Sequence, residues 1–228
     1  MSKVLGIIPA RKGSKGILHK NSKLICGKPL IAWTIEAALE SNFIDEILVS
    51  TDCLTIKNIA ESYGLKVPRL RPDNLSKDDT ASSSVILFEL IDKSEFDVVC
   101  MLQPTSPLRT SEDINFAFKT FNKLNANVLA SVVEDKHSPY WSFQVQDEYL
   151  KSVFPLYQIN KRRQDLPKTF SLNGALYIAN INFYKQVKSF LTEKTIPFIM
   201  PSNRSIDIDD LDDFKTAEQE LIKQQSEH

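Results

Sequence analysis

Short apolar runs alternate with segments of helical period along most of this chain, which confines it to a small set of architectures. Runs beginning at Val4, Glu46, Lys66, Asp97 and Val128 have the length of buried strands. Helix-period segments lie between them. The alternation predicts an α/β fold, a mostly parallel central sheet covered by helices on both faces. At 228 residues, 42% of them hydrophobic, the chain suits a single domain over 1–228 with a full core.

Local signals place the helices. Pro29 sits where a helix can begin without losing a needed donor, and Ile31, Ile35, Ala38 and Leu39 repeat behind it at helical spacing. A second helix, from about Leu54 to Tyr63, stops at Gly64, a residue suited to a left-handed C′ position. Small hydroxyl residues, Thr80 and Ser82 to Ser84, lie in or just before the first turn of a helix whose apolar face is Val85, Ile86, Leu87, Leu90 and Ile91. Such a terminus either caps itself or offers its N–H groups to an anion or polar ring. Ser111 to Asp113 opens a helix with Ile114, Ala117, Phe118 and Phe121 inward.

The pattern breaks between 137 and 170, where aromatic residues and prolines mix with charge. Tyr140 to Phe143 and Tyr149-Leu150 suggest a small strand pair outside the sheet. Apolar residues displayed on so short an element point to a subunit interface, with a lid as the alternative. Regular structure resumes at Ala175 to Ile178, a helix near Phe183 to Phe190, a strand at Ile196 to Ile199 and a last helix over Asp213 to Gln224.

The chemistry is concentrated at the first loop. Between Arg11 and Lys28 there are six Lys or Arg and no acid, in a chain of net charge -1. A local excess of that kind attracts a polyanion, a triphosphate being the obvious candidate. Gly13 and Gly16 let main-chain N–H groups approach phosphate closely. The loop has neither the Gly-x-x-x-x-Gly-Lys-Ser/Thr nor the Gly-x-Gly-x-x-Gly spacing, so neither a P-loop NTPase nor a dinucleotide enzyme follows. Positive charge confined to one loop without stacking aromatics argues against nucleic acid.

Two further clusters complete the set. Leu102 to Arg109 follows an expected central strand, which places Gln103 at a carboxyl end, where open α/β sheets bind ligands. Its amide can both donate and accept, as reading a base edge or sugar hydroxyl requires. Five acids fall within seven residues from Asp207. In an extended stretch Asp207 and Asp209 share one face while Ile206 and Ile208 take the other, so the two carboxylates form a partial site for Mg²⁺. Asp212 and Asp213 suit the start of the last helix. Arg162, Arg163 and Gln164 could grip a substrate carboxylate.

Cys26, Cys53 and Cys100 lie far apart, and with three histidines they support neither a disulfide framework nor a zinc site. Cys100 is the best candidate for burial. The N-terminus enters a strand-like run without a cleavage-type signal, and no run of 18 apolar residues exists, so the expectation is a cytoplasmic protein with no membrane association.

Ile8 to Gly16 through Lys20-Asn21, Ser50 to Asp52, Leu102 to Arg109, Arg162 to Asp165, Asn173 to Ile178 and Ser205 to Asp209 together resemble the N-acylneuraminate cytidylyltransferases, the CMP-sialic acid synthetases. The likeness runs in order over nearly the whole chain. It implies a Rossmann-like nucleotidyltransferase fold, a homodimer in which the excursion reaches over the partner's site, and Mg²⁺-dependent formation of CMP-sialic acid and pyrophosphate from CTP and N-acetylneuraminate. By matching position, Ala10, Arg11, Ser14 and Lys15 would meet the triphosphate, with Lys20 and Asn21 closing the loop. Arg71, Ser82 and Gln103 would line the cytidine side. Gln103, Thr105, Ser106, Arg162, Arg163 and Gln164 would face the sugar, and Asp207 and Asp209 would hold metal. Arg11, Lys20, Arg162 and Asp209 are the expected catalytic set. Lys12 departs from the family, where Gly, Gln or Ala is frequent. Cytidylyltransferases for legionaminic, pseudaminic or 3-deoxy-manno-octulosonic acid share the loop and the metal chemistry and are the alternative. A nucleotide-binding module without catalysis would have less use for the Asp207/Asp209 pair.

Overall fold

β1 (Val4–Pro9) lies between β4 (Glu46–Ser50) and β5 (Val98–Leu102), parallel to both. The computed structural model describes residues 2–14, 16–77, 79–155 and 159–226. With β6 (Val128–Glu134), β9 (Phe170–Asn180) and β10 (Ile196–Ile199), these strands form a sheet of order β10-β6-β9-β5-β1-β4. β9 runs antiparallel to both β5 and β6, and β2 (Leu24–Ile25) and β3 (Lys28–Pro29) pair apart from this sheet. The predicted mostly parallel sheet is present, with one reversed strand at its centre.

The pleat sorts each strand's residues onto two faces. Val4 and Ile8 of β1, with Val98, Cys100 and Leu102 of β5, pack under α1 (Leu30–Leu39), α2 (Leu54–Ser62) and α4 (Ser111–Lys123). Leu5 and Ile7, with Val99 and Met101, face α3 (Ser82–Glu89) and α5 (Ile181–Val187). Ile114, Ala117, Phe118 and Phe121 are all buried, as the spacing predicts. A Thr110–Asp113 capping box starts their helix. α6 (Leu211–Ser226) packs Phe214, Ala217 and Leu221 on Ile17, Ile25 and Ile208, beneath the basic loop.

Some expectations are corrected. The run from Lys66 forms no strand. Leu65 and Val67 are buried, but Pro68 and Pro72 lack donors for a ladder, and the Arg71 N–H instead donates to the Thr51 carbonyl at 2.7 Å. Leu39 and Ile91 are exposed at helix ends, outside the faces assigned to them. α3 takes Ala81 as its N-cap and has no side-chain cap, so Ser82, Ser83 and Ser84 stand within its first turn.

The excursion contains the expected strand pair, β7 (Phe143–Gln146) and β8 (Tyr149–Ser152). Asp147 and Glu148 turn it with φ of 50° and 69°, the left-handed conformation that two-residue hairpins need.

Candidate active site

The carboxyl ends of β1, β4 and β5 open into a cleft of about 310 Å³. Arg11, Gly13, Ser14, Lys20 and Asn21 form one wall, Arg71, Lys77, Thr80, Ser82 and Val85 another, and Gln103 to Thr105 the floor. Six residues expected to meet CTP therefore converge here: Arg11, Ser14, Asn21, Arg71, Ser82 and Gln103. Lys15 lies outside the described residues. Ala10 is one layer down, fully buried, with its N–H on the Ser50 carbonyl at 2.9 Å.

Hydrogen bonds to backbone shape the basic loop. Asn21 Nδ2 donates to the Arg11 carbonyl at 3.0 Å, while its Oδ1 is buried without a hydrogen-bond partner. The Lys12 N–H donates to Asp52 Oδ1 at 2.7 Å, so the residue that departs from the family's pattern contributes backbone to the fold of the loop. Arg11 Nη1 donates across the cleft mouth to the Lys77 carbonyl at 3.0 Å. Gly16 is required where it stands, because a Cβ there would lie 1.9 Å from the Asp209 carbonyl oxygen.

Arg71 is buried, and its Nη2 donates to the Ser50 carbonyl at 2.6 Å. Burial pulls its guanidinium below the ordinary arginine range, against the opposing charges of Asp52 and Glu89. Ser50 Oγ in turn donates to the buried Glu89 at 2.6 Å. Arg71, expected on the cytidine side, is thus a buried cation in the cleft wall held by the backbone carbonyls of Ser50 and Leu75.

The acidic run divides its work. Asp210 Oδ1 accepts from the N–H groups of Asp212 and Asp213, at 2.8 and 2.9 Å, and Asp213 Oδ2 accepts from those of Asp209 and Asp210. Asp210 and Asp213 therefore cap α6 reciprocally, where the expected pair was Asp212 and Asp213. Asp207 and Asp209 are left over. Asp207 Oδ1 is buried without a hydrogen-bond partner, and burial raises its carboxyl above the ordinary range, with the nearby Thr105 side chain and Lys20 pulling the other way. Asp209 is 84% exposed, with Lys20 Nζ at 3.5 Å. An orphaned buried carboxylate oxygen beside an exposed carboxylate fits a hard divalent cation that takes its remaining oxygens from phosphate and water. Among the described residues no group of three or more His, Cys, Asp or Glu could hold a metal by itself, so protein ligands alone would leave such an ion incomplete.

Of the residues expected to face the sugar, Gln103 and Thr105 reach the cleft. Ser106 is fully buried and donates to the Asn173 carbonyl at 3.4 Å. Arg163 and Gln164 line a separate hollow of about 330 Å³ with Glu134, Asp135 and Lys168, and Arg162 is exposed beside them. The single chain does not bring these three to the cleft.

Two residues outside the expected set belong to the architecture. Arg109 is fully buried, and its Nη1 donates to the carbonyls of Gln103 and Ala175 at 3.3 and 2.8 Å, tying the floor of the cleft to β9. Burial lowers its guanidinium to about 10. Gly174 interrupts β9 with φ of 72°, inside a bulge where the β6–β9 register shifts. Ser131 and Asn173 side chains take over the missing ladder bonds there: Ser131 Oγ bonds Asn173 Oδ1, and the N–H groups of Ala175 and Leu176 find Asn173 Oδ1 and Ser131 Oγ. A glycine inside a strand pattern is the sequence signal for such a close approach.

Residues 5–225 match the cytidylyltransferase family. The chain belongs to that family. Among curated cytidylyltransferases, it is 36% identical over 216 residues to the N-acylneuraminate cytidylyltransferase of Escherichia coli O18:K1:H7, covering 95% of this chain and 51% of that protein. It is 38% identical over 213 residues to the CMP-N,N'-diacetyllegionaminic acid synthase of Legionella pneumophila, covering 91% of each. It is 32% identical to the pseudaminic acid cytidylyltransferase of Campylobacter jejuni over 94% of each. The chain spans about half the length of the E. coli relative and of the Streptococcus agalactiae N-acylneuraminate cytidylyltransferases it matches. A solved CMP:2-keto-3-deoxy-manno-octonic acid synthetase in complex with CTP superposes with a TM-score of 0.73 at 18% identity, over 98% of this chain and 100% of that one. That likeness identifies the cytidylyltransferase fold. No helix among the described residues is long and apolar enough to cross a membrane.

Proposed function

We propose that this cytidylyltransferase-family chain transfers CMP from CTP to the anomeric hydroxyl of a nonulosonic acid, N-acetylneuraminate first among them, with Mg²⁺ and as a homodimer. The observation that carries the reading is the orphaned Asp207 Oδ1 beside Asp209, a pair joined through Lys20 to a cleft that Arg11, Lys20 and Arg71 line. Phosphate charge and a divalent cation are what such a pairing of walls accommodates.

Arg11, Ser14 and the loop N–H groups hold the β- and γ-phosphates, so that pyrophosphate leaves onto positive charge. Arg71 and Ser82 stand on the nucleoside side, and Gln103 lies between nucleotide and sugar. Asp207 and Asp209 would hold Mg²⁺, which when bound supplies charge that offsets the phosphate oxygens. The sugar hydroxyl then attacks the α-phosphorus in line, with no protein nucleophile. Arg162, Arg163 and Gln164 lie away from the cleft, which supports their serving the neighbouring subunit's site.

The test is to incubate the protein with Mg²⁺, CTP and N-acetylneuraminate and to follow pyrophosphate and CMP-sugar, with ATP, GTP and UTP as controls. Product with CTP alone is expected. The Legionella pneumophila relative, alike over nine-tenths of both chains, supports legionaminic acid as the second acceptor to try. A much higher kcat/KM for that acid would transfer the assignment to it. CTP binding without turnover on any nonulosonic acid would overturn the catalytic reading.

A further inference from the structure

Gly174 stands where the reversed strand touches two functional side chains at once. A Cβ at this position would lie 2.5 Å from Gln103 Oε1, 3.0 Å from Asp207 Oδ2 and 3.4 Å from Asp207 Cγ. Carbon does not approach amide oxygen at 2.5 Å, so any side chain at 174 moves the Gln103 amide and crowds the Asp207 carboxylate. The main chain beneath both partners is fixed, so the Gln103 and Asp207 side chains themselves take up the shift. The Gln103 carbonyl accepts from Arg109 Nη1 and Thr34 Oγ1, and the segment carrying Asp207 is fixed by the Ile208 N–H on the Thr105 carbonyl at 2.8 Å.

We propose that Gly174 is a positioning residue of this site: its bare Cα sets the place of the Gln103 amide against that of the Asp207 carboxylate. The proposal rests on the function assigned above. Without a side chain at 174, one backbone surface supports both the group that meets the nucleotide and sugar and the group that meets the cation. The bulge exists to carry that surface. Ser131 and Asn173 satisfy the backbone around it, so Gly174 stays in the left-handed region at no loss of hydrogen bonding.

Gly64 provides a matched control. It too has a left-handed φ, 81°, and nothing lies within 4 Å of its Cβ position. Gly174→Ala and Gly64→Ala therefore share backbone strain and differ in contact with the site. Both are expected to lower the urea midpoint. Gly174→Ala alone is expected to lower kcat by about 100-fold, the usual scale for an ångström of misplacement, while the Kd for CTP without metal stays within about threefold. Gly174→Asn, whose residue type tolerates the left-handed region, is expected to behave like Gly174→Ala and serves if the alanine variant does not fold.

A double-mutant cycle separates positioning from strain. In a Gln103→Ala background the shortest contact is gone, and adding Gly174→Ala is expected to cost only a few-fold more. Mn²⁺ affinity in the presence of CTP, measured by calorimetry, gives a readout that needs no turnover. It is expected to weaken about tenfold in Gly174→Ala and to hold in Gly64→Ala. Additive losses in the cycle, or equal losses of activity and Mn²⁺ affinity in the two glycine variants, would overturn the proposal. A wild-type protein that transfers no CMP would overturn the function instead, with the Mn²⁺ comparison still deciding the role of Gly174.

Discussion

Lys20 Nζ stands 3.5 Å from Asp209 Oδ1 and donates to the carbonyl of Ile208, although Lys20 itself is buried and Asp209 is open to solvent. The ammonium thus spans from the basic loop to the irregular segment that carries the acidic pair. With Gly16 against the Asp209 carbonyl, loop and acidic segment are held together at two points. A change to either is felt by the other.

Removing the carboxylate should therefore separate binding from chemistry. Asp209→Ala is expected to lower kcat by about 100-fold or more, with much less effect on CTP affinity, because the phosphate loop still holds the nucleotide. Steady-state kinetics beside calorimetric CTP binding check it. Equal losses in both would remove Asp209 from metal chemistry.

Arg11 spans the cleft mouth, and its guanidinium is partly exposed. Arg11→Ala is expected to leave the circular dichroism spectrum and Tm close to wild type while kcat/KM falls about 100-fold. A near-normal kcat/KM would take the loop out of the mechanism.

Cys100 is fully buried in β5, and burial pushes its thiol up to about 12. At pH 8 the thiolate fraction is therefore about 10⁻⁴, and raising the pH toward 10 still leaves it small. In the native protein Cys26, partly exposed, should react with a thiol reagent well before Cys100. Cys100 labelling should follow global unfolding and slow when CTP is added. Rapid labelling of Cys100 under native conditions, read by peptide mass spectrometry, would contradict this burial.

On the excursion, Val145, Tyr149 and Leu150 are each at least 70% exposed, more apolar surface than a lone hairpin carries without a partner. Light scattering should show a dimer. Tyr149→Glu with Leu150→Glu is expected to weaken association about 30-fold or more and to reduce activity with it. A fully active monomer would place Arg162, Arg163 and Gln164 outside the reaction.

Much of this architecture is readable from residue patterns, and the failures have physical causes. Ile114, Ala117, Phe118 and Phe121 mark a helix face because burial enforces the period, and the Tyr149 hairpin shows as a local break. The run at Lys66 looks like a strand because Leu65 and Val67 are buried, yet burial without free donors builds no ladder. A glycine within a strand pattern marks Gly174 as a close approach, but what it and Arg109 meet, Gln103 and Ala175 about 70 positions away, is not encoded in local pattern. The reversal of β9 is likewise a property of pairing across the sheet.

The excursion leaves the sheet at Asp135 and returns at Thr169, and the Asp135 N–H donates to the Thr169 carbonyl at 3.0 Å. Its two ends are pinned at one spot by the adjoining pairing of Glu134 with Phe170. Closing entropy grows only slowly with what lies between such ends. The stretch therefore behaves as a cassette: it can be lengthened, trimmed or grafted from a relative while the strands bearing the nucleotide cleft keep their register. If Arg162 to Gln164 meet the acceptor as proposed above, acceptor preference is carried on a joint that stands apart from the strands lining the cleft.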